Sequence, residues 1–175
     1  MKLLMYCTKN KKQLFYDKVK QAFMYGINGK NDKFNSFNGK VVAECDFEVE
    51  KIEPQYWNSV INHWFSQELL NKSCLDMWQM REYLNGKDGY AIHINNLKIF
   101  DKPLSLFEIS KECHYSYKEY LPKYFNAPQN MCYCWYKGEK YCLISIRPEW
   151  LVKILNGEKT IEVRKKVLKE MLNDK

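Results

Sequence analysis

The chain has 175 residues, the length of one ordinary domain, and a chain this long buries roughly 70% of its unfolded surface without needing a disulfide or metal staple. Hydrophobic residues make up 46% and aromatic residues 15%, which excludes a disordered chain; no apolar run reaches the ~18 residues of a membrane span. Lysine and arginine total 28 against 21 aspartate and glutamate, a formal net charge of +7, so the surface attracts polyanions, nucleic acid foremost.

Residues 1–8 read as a short strand. Residues 9–38 are polar and rich in Asn, Lys and Gly; they read as a long loop with one short helix around 16–23, anchored by Phe23, Tyr25, Phe34 and Phe37. Residues 39–52 are a strong strand, with Phe47 and Val49 alternating against Glu48 and Glu50. Pro54 ends it and suits a helix start, and Trp57, Ile61, Trp64 and Phe65 then follow helical spacing. A second helical run carries Leu75, Trp78 and Tyr83 and stops at Asn85-Gly86. Gly89 opens a strand that continues through Leu97 to Phe100 and breaks at Pro103. Residues 104–109 form a short connector, and 114–126 are aromatic and irregular. Residues 131–136 and 141–146 form a hairpin about the turn at 137–140. Residues 148–157 are the clearest helix: Pro148 sits in its first turn, Gly157 just past its end, and Leu151, Ile154 and Leu155 make its buried stripe. Residues 160–164 alternate, Ile161 and Val163 pointing one way and Thr160, Glu162 and Arg164 the other, and 165–175 form a charged tail with a short helix. Short strands with a few helices predict an α+β fold, a small barrel with flanking helices formed by residues 1–175 as a single domain.

The run Leu143-Ile144-Ser145-Ile146-Arg147-Pro148-Glu149, followed without a gap by Ile154-Leu155-Asn156-Gly157-Glu158-Lys159-Thr160-Ile161-Glu162-Val163-Arg164, resembles the ASCH family, a branch of the PUA-like fold. That family's pattern is a strand reading I-S-I-K/R-P-E, a helix, then G-x-K-x-x-E-x-R. Residues 4–9, 39–47, 89–105 and 127–133 are similar to its remaining strands, and residues 10–38 and 54–85 stand as insertions, as in phage or bacterial members. The order differs: the strand-helix-strand at 141–164 comes first in the family and last here. The resemblance therefore implies a circularly permuted PUA-like β-barrel in which 141–164 complete the same barrel as 3–9, in a monomer; a truncated second copy or a segment exchanged between two chains are the alternatives.

The resemblance implies a nucleic-acid-binding module that holds RNA, another single strand or a nucleotide in a cationic cleft between barrel and helix. Lys159, Arg164, Arg147, Glu162, Lys9, Thr8, Gln129 and Ser145 are the candidate contacts. The excess of lysine over arginine, of which there are only Arg81, Arg147 and Arg164, points to phosphate and shape rather than base reading. A second class is a small hydrolase of RNA or of acetylated cytidine, with Lys159 as base and Glu162 as acid or water-positioning group; the amidohydrolase relatives carry Thr where Glu162 stands, and Thr160 points to the other side of the strand. A third is a phage-type protein-interaction factor that engages a host protein through its tyrosines and tryptophans. Seven cysteines, an odd number with no Cys-x-x-Cys pair, predict reduced thiols. Some ASCH relatives carry a Cys-rich insert between the last two strands that resembles a metal site; here that region, 111–126, holds only Cys113 and His114, so the resemblance implies no metal, and no other cofactor is expected. Residues 3–7 are too short for the apolar core of a secretory signal, so the expected location is the cytoplasm, with no membrane partner.

Overall fold

The structure is a computed structural model that describes residues 1–27, 36–53, 55–57, 60–62, 65–109 and 126–173. It is α+β. Among the described residues a mixed six-stranded sheet takes the order β10-β7-β4-β1-β9-β8, with β1 (Lys2–Cys7), β4 (Val41–Ile52), β7 (Gly89–Leu104), β8 (Met131–Tyr136), β9 (Glu139–Ile146) and β10 (Ile161–Arg164). Two small hairpins stand apart from it, β2 (Gln13–Asp17) with β3 (Ala22–Gly26) and β5 (Gln55–Trp57) with β6 (Val60–Asn62). Three helices are described: α1 (Gln67–Ser73), α2 (Met77–Leu84) and α3 (Pro148–Leu155).

The expected closed barrel is replaced by an open sheet, in which β10 and β8 are the two edges and do not pair with one another. The chain divides into two compact units, residues 1–46 with 96–156 and residues 47–95 with 157–175. The long strands β4 and β7 each contribute one half to each unit.

In the first unit β1 is buried from Leu3 to Cys7 because it lies between two neighbours, antiparallel to β4 and parallel to β9. The pairing runs from Lys2 opposite Tyr141 to Cys7 opposite Ile146, so the strand at 139–146 joins the same sheet as the N-terminal strand within one chain. β8 and β9 form the expected hairpin. Lys137 and Gly138 both take positive φ (51° and 80°), the backbone a two-residue turn needs to match the strand twist. α3 has the predicted cap pattern and stripe, with Pro148, Leu151, Ile154 and Leu155 buried. The unit's core gathers Leu4, Tyr6, Val41, Ile109, Cys134, Tyr141 and Leu143.

Residues 9–38 correct the loop-and-helix expectation: the stretch predicted as a helix is the β2–β3 hairpin. Its turn carries no glycine, which hid it from turn signals. Two asparagines fasten it. Asn156, just past α3, acts as a substitute strand, accepting from the Phe23 amide at 2.9 Å and donating to the Phe23 carbonyl at 2.8 Å. Asn38 accepts from the Leu14 amide at 2.9 Å and donates to the Lys12 carbonyl at 3.1 Å. Phe23 and Phe37 do anchor this segment, their rings 5.5 Å apart; the predicted anchor Phe34 lies outside the described residues.

In the second unit the predicted helix over Trp57 and Ile61 is instead the β5–β6 hairpin, while Trp64 lies outside the described residues. α1 begins at the Ser66 cap, and α2 at a capping box formed by Asp76 and Gln79, ending as expected at Asn85 in the left-handed conformation. The inward face of α2 is Met80 and Leu84; Trp78 is exposed. These pack with Ile52, Phe65, Leu70, Ala91, Ile161 and Val163 into a second core. A Cβ at Gly89 would lie 2.6 Å from Leu84 Cδ2, so a larger residue there has to displace that buried side chain. Pro103 does not break β7: β10 pairs only with Tyr90–His93, so the proline lies outside that ladder. The charged tail carries a short 3-10 turn at Lys169–Leu172.

Candidate functional site

Lys159 lies in the second unit between α3 and β10, and the end of α1 meets this segment residue for residue. The Cys74 thiol donates to the Glu158 carbonyl at 3.4 Å, the Lys159 ammonium to the Ser73 carbonyl at 2.6 Å, and the Thr160 amide to the Lys72 carbonyl at 2.9 Å. A helix leaves its last carbonyls without partners and its C-terminal end partly negative, so a lysine there answers both needs. The ammonium also stands 3.4 Å from Glu162 Oε2, and the other oxygen of that carboxylate is 2.9 Å from Arg164 Nε. Two residues, Thr160 and Ile161, separate Lys159 from Glu162, and their side chains meet across that interval.

The Lys159 side chain is only 2% exposed. Burial pushes its proton affinity below that of an ordinary lysine, and the Glu162 carboxylate opposes that loss. Lys159 therefore faces a helix end and a carboxylate inside the unit. It does not line the groove of about 620 Å³ between α1 and α2, whose walls are Gln67, Leu70, Asn71, Cys74, Leu75, Asp76, Met77 and Gln79. The Glu162–Arg164 pair is likewise more enclosed than a surface pair, at 10% and 14% side-chain exposure.

The other predicted contacts belong to the first unit. Arg147 is the exposed N-cap residue of α3, 3.8 Å from Glu149. Thr8 extends β1 by donating its amide to the Ile146 carbonyl at 3.0 Å. Lys9 is exposed beside Gly39, and Gln129 is exposed. Ser145 is buried and its hydroxyl donates to the Pro128 carbonyl at 2.6 Å. The structure thus brings Lys159, Glu162 and Arg164 together and places Thr8, Lys9, Gln129, Ser145 and Arg147 in the unit that carries the β2–β3 hairpin. Among the described residues no group of three His, Cys, Asp or Glu side chains is placed to hold a metal; Cys113 and His114 lie outside them.

Motif reading missed the distribution of charge. Lys2, Lys9, Lys11, Lys12, Lys18, Lys20, Lys30, Lys33 and Lys40 face only Asp17 and Asp32 over residues 1–40. The rest of the chain is neutral, holding 19 of the 28 basic and 19 of the 21 acidic residues. The whole net charge of +7 therefore sits on the segment containing the hairpin. Lys9, Lys11, Lys12, Lys18 and Lys20 are exposed. A count of charge along the chain, rather than over it, is the signal that finds them.

No protein family, curated protein or solved structure matches the chain.

Proposed function

We propose that this chain is a nucleic-acid-binding protein, a circularly permuted module of the ASCH and PUA-like kind, which holds its ligand through exposed lysines of the first unit. The observation that carries this reading is the concentration of the entire +7 charge on residues 1–40. A polyanion releases condensed counterions when lysines replace them, so such a segment gains affinity without any base-specific contact. The parallel pairing of β9 with β1, and the unbroken β9–α3–β10 order, support the permuted arrangement. The enclosed Lys159 then holds α1 against β10 rather than touching the ligand.

The test is fluorescence anisotropy of labelled RNA and DNA oligonucleotides over a salt series. Binding whose logarithm falls linearly with the logarithm of salt concentration is the expected result. Absence of binding to every oligonucleotide at low salt overturns the proposal.

The burial of Lys159 at 3.4 Å from Glu162, which lowers the lysine's proton affinity, favours a second reading, a hydrolase in which Lys159 acts as base and Glu162 positions water. Its expected signature is acetate release from acetylated cytidine, or shortening of RNA, that disappears in Lys159→Ala. No turnover by the wild type removes it.

A further inference from the structure

We propose that the β2–β3 hairpin is a phosphate-gripping arm that enters the major groove of double-stranded DNA. This rests on the nucleic-acid reading above and assigns its contact element and its ligand class.

The tip is built to present cations. Lys18 and Lys20 flank Val19, and all three are exposed, Val19 to 94%. The one acidic residue beside them is engaged in the turn: Asp17 Oδ1 accepts from the Val19 amide at 2.9 Å and the Lys20 amide at 3.1 Å. Gln21 closes the turn at φ 51°. The tip is thus a fixed turn, fastened close beside it on β3 by Asn156 at Phe23 and at the base on β2 by Asn38 at Leu14. Such an arm loses little conformational freedom on binding, which favours affinity.

Most of the aromatic surface of the hairpin is engaged in anchoring it. Tyr16 and Phe23 meet edge to face at 5.1 Å, Phe23 continues onto Phe37, and Phe15 and Tyr25 are half-buried, which leaves Tyr16, at 40% exposure, as the one partly open ring of the two strands. A single strand stacks successive bases on successive open rings; this hairpin offers one such ring and, at its tip, lysines. A two-stranded ribbon matches the width of the B-form major groove, whereas the major groove of A-form RNA is too narrow and deep to admit it. With lysine as its only basic residue, the arm reads the phosphate walls and not the base edges.

The experiment compares binding of the full chain to a labelled DNA duplex of about two helical turns, to either of its strands alone, to the RNA duplex of the same sequence, and to vesicles of equal parts phosphatidylcholine and phosphatidylserine. The variants are K18E/K20E and, as a control of equal charge change in the second unit, K165E/K166E. All four positions are exposed, so folding is not at stake. The DNA duplex is expected to bind tightest. K18E/K20E is expected to lower that affinity at least tenfold and to make the salt dependence shallower by about 2, one contact per lysine, whereas the control changes both far less. Duplex binding that both variants weaken equally overturns the assignment of the hairpin while leaving nucleic-acid binding intact. Tighter binding of a single strand or of the RNA duplex overturns entry into the DNA groove. Binding to vesicles with none to any nucleic acid overturns both this inference and the reading on which it rests.

Discussion

Replacing Lys159 by methionine keeps an unbranched side chain, one heavy atom shorter, and removes its charge. Three consequences can be weighed. The Ser73 carbonyl, on a residue with no exposure, loses its donor at 2.6 Å, and an unsatisfied buried acceptor costs about 1–3 kcal/mol. The Glu162 carboxylate loses one cation at 3.4 Å but keeps Arg164 at 2.9 Å; the ~3–5 kcal/mol of an orphaned buried charge is therefore not reached. Against these stands relief, because methionine carries none of the desolvation that depresses the lysine's proton affinity. The balance is a loss of about 2 kcal/mol. Urea unfolding at neutral pH measures it, and K159M/E162Q completes a cycle with an expected coupling of about 1 kcal/mol or more. DNA affinity of the folded K159M protein is expected to match wild type. Stability within about 0.5 kcal/mol of wild type, the usual scatter of surface changes, refutes the clamp. An affinity lost with stability intact refutes it in the opposite sense, by making Lys159 a ligand contact.

Alkaline pH is expected to destabilise the fold through buried thiols. Burial raises Cys7, Cys45 and Cys134 from 9.0 to about 12. Between those values the unfolded thiols ionise while the folded ones keep their protons. The native state then binds more protons, and stability falls as pH rises, by up to about 1.4 kcal/mol per pH unit for each thiol. Lys159 opposes this with the reverse sign, because its depressed proton affinity makes the unfolded state the better proton binder as pH approaches the ordinary lysine value. Three thiols outweigh one amine, so urea midpoints should drop from pH 8 to pH 10; a flat profile over that interval contradicts the burial of these cysteines. Gly89→Ala is expected to cost about 1–3 kcal/mol, the range of overpacked sites, because its Cβ would meet Leu84 Cδ2 at 2.6 Å. An unchanged thermal midpoint would show that α2 does not approach β7 so closely.

What the amino-acid pattern revealed was local. The unbroken apolar run of β1, the period-two stretch of β4, the Lys137-Gly138 turn and the Pro148-to-Gly157 helix each carry their signal within a few residues, and each formed as read. The β2–β3 hairpin was hidden because its alternation is blurred by consecutive Phe15-Tyr16 and its turn lacks glycine. β5–β6 was hidden because Trp57 and Ile61 satisfy a helical spacing and, as it proved, a strand pairing equally. The open sheet and the burial of Lys159 had no local signature. The carbonyl that meets the ammonium lies 86 positions earlier, at the end of α1, whose packing the motif says nothing about.

That long-range contact decides which lysines can serve a polyanion. An exposed lysine gains from phosphate because counterions leave and its own hydration is only partly disturbed. A lysine at 2% exposure has already lost its water and holds its charge through one carbonyl and one carboxylate. To reach a phosphate it would have to abandon both and leave the Ser73 carbonyl and the Glu162 carboxylate behind, with no gain in hydration to offset the loss. The residue type that draws attention to Lys159 in the motif is thus unsuited to binding there by the same burial that makes it a clamp. Lys11, Lys12, Lys18 and Lys20, which the motif does not single out, are exposed on the turn of a fastened hairpin and on the segment that leads into it, with Asp17 the one carboxylate among residues 9–20. On this physical ground the ligand-binding role we propose falls to the hairpin, and Lys159 serves the packing of α1 on β10.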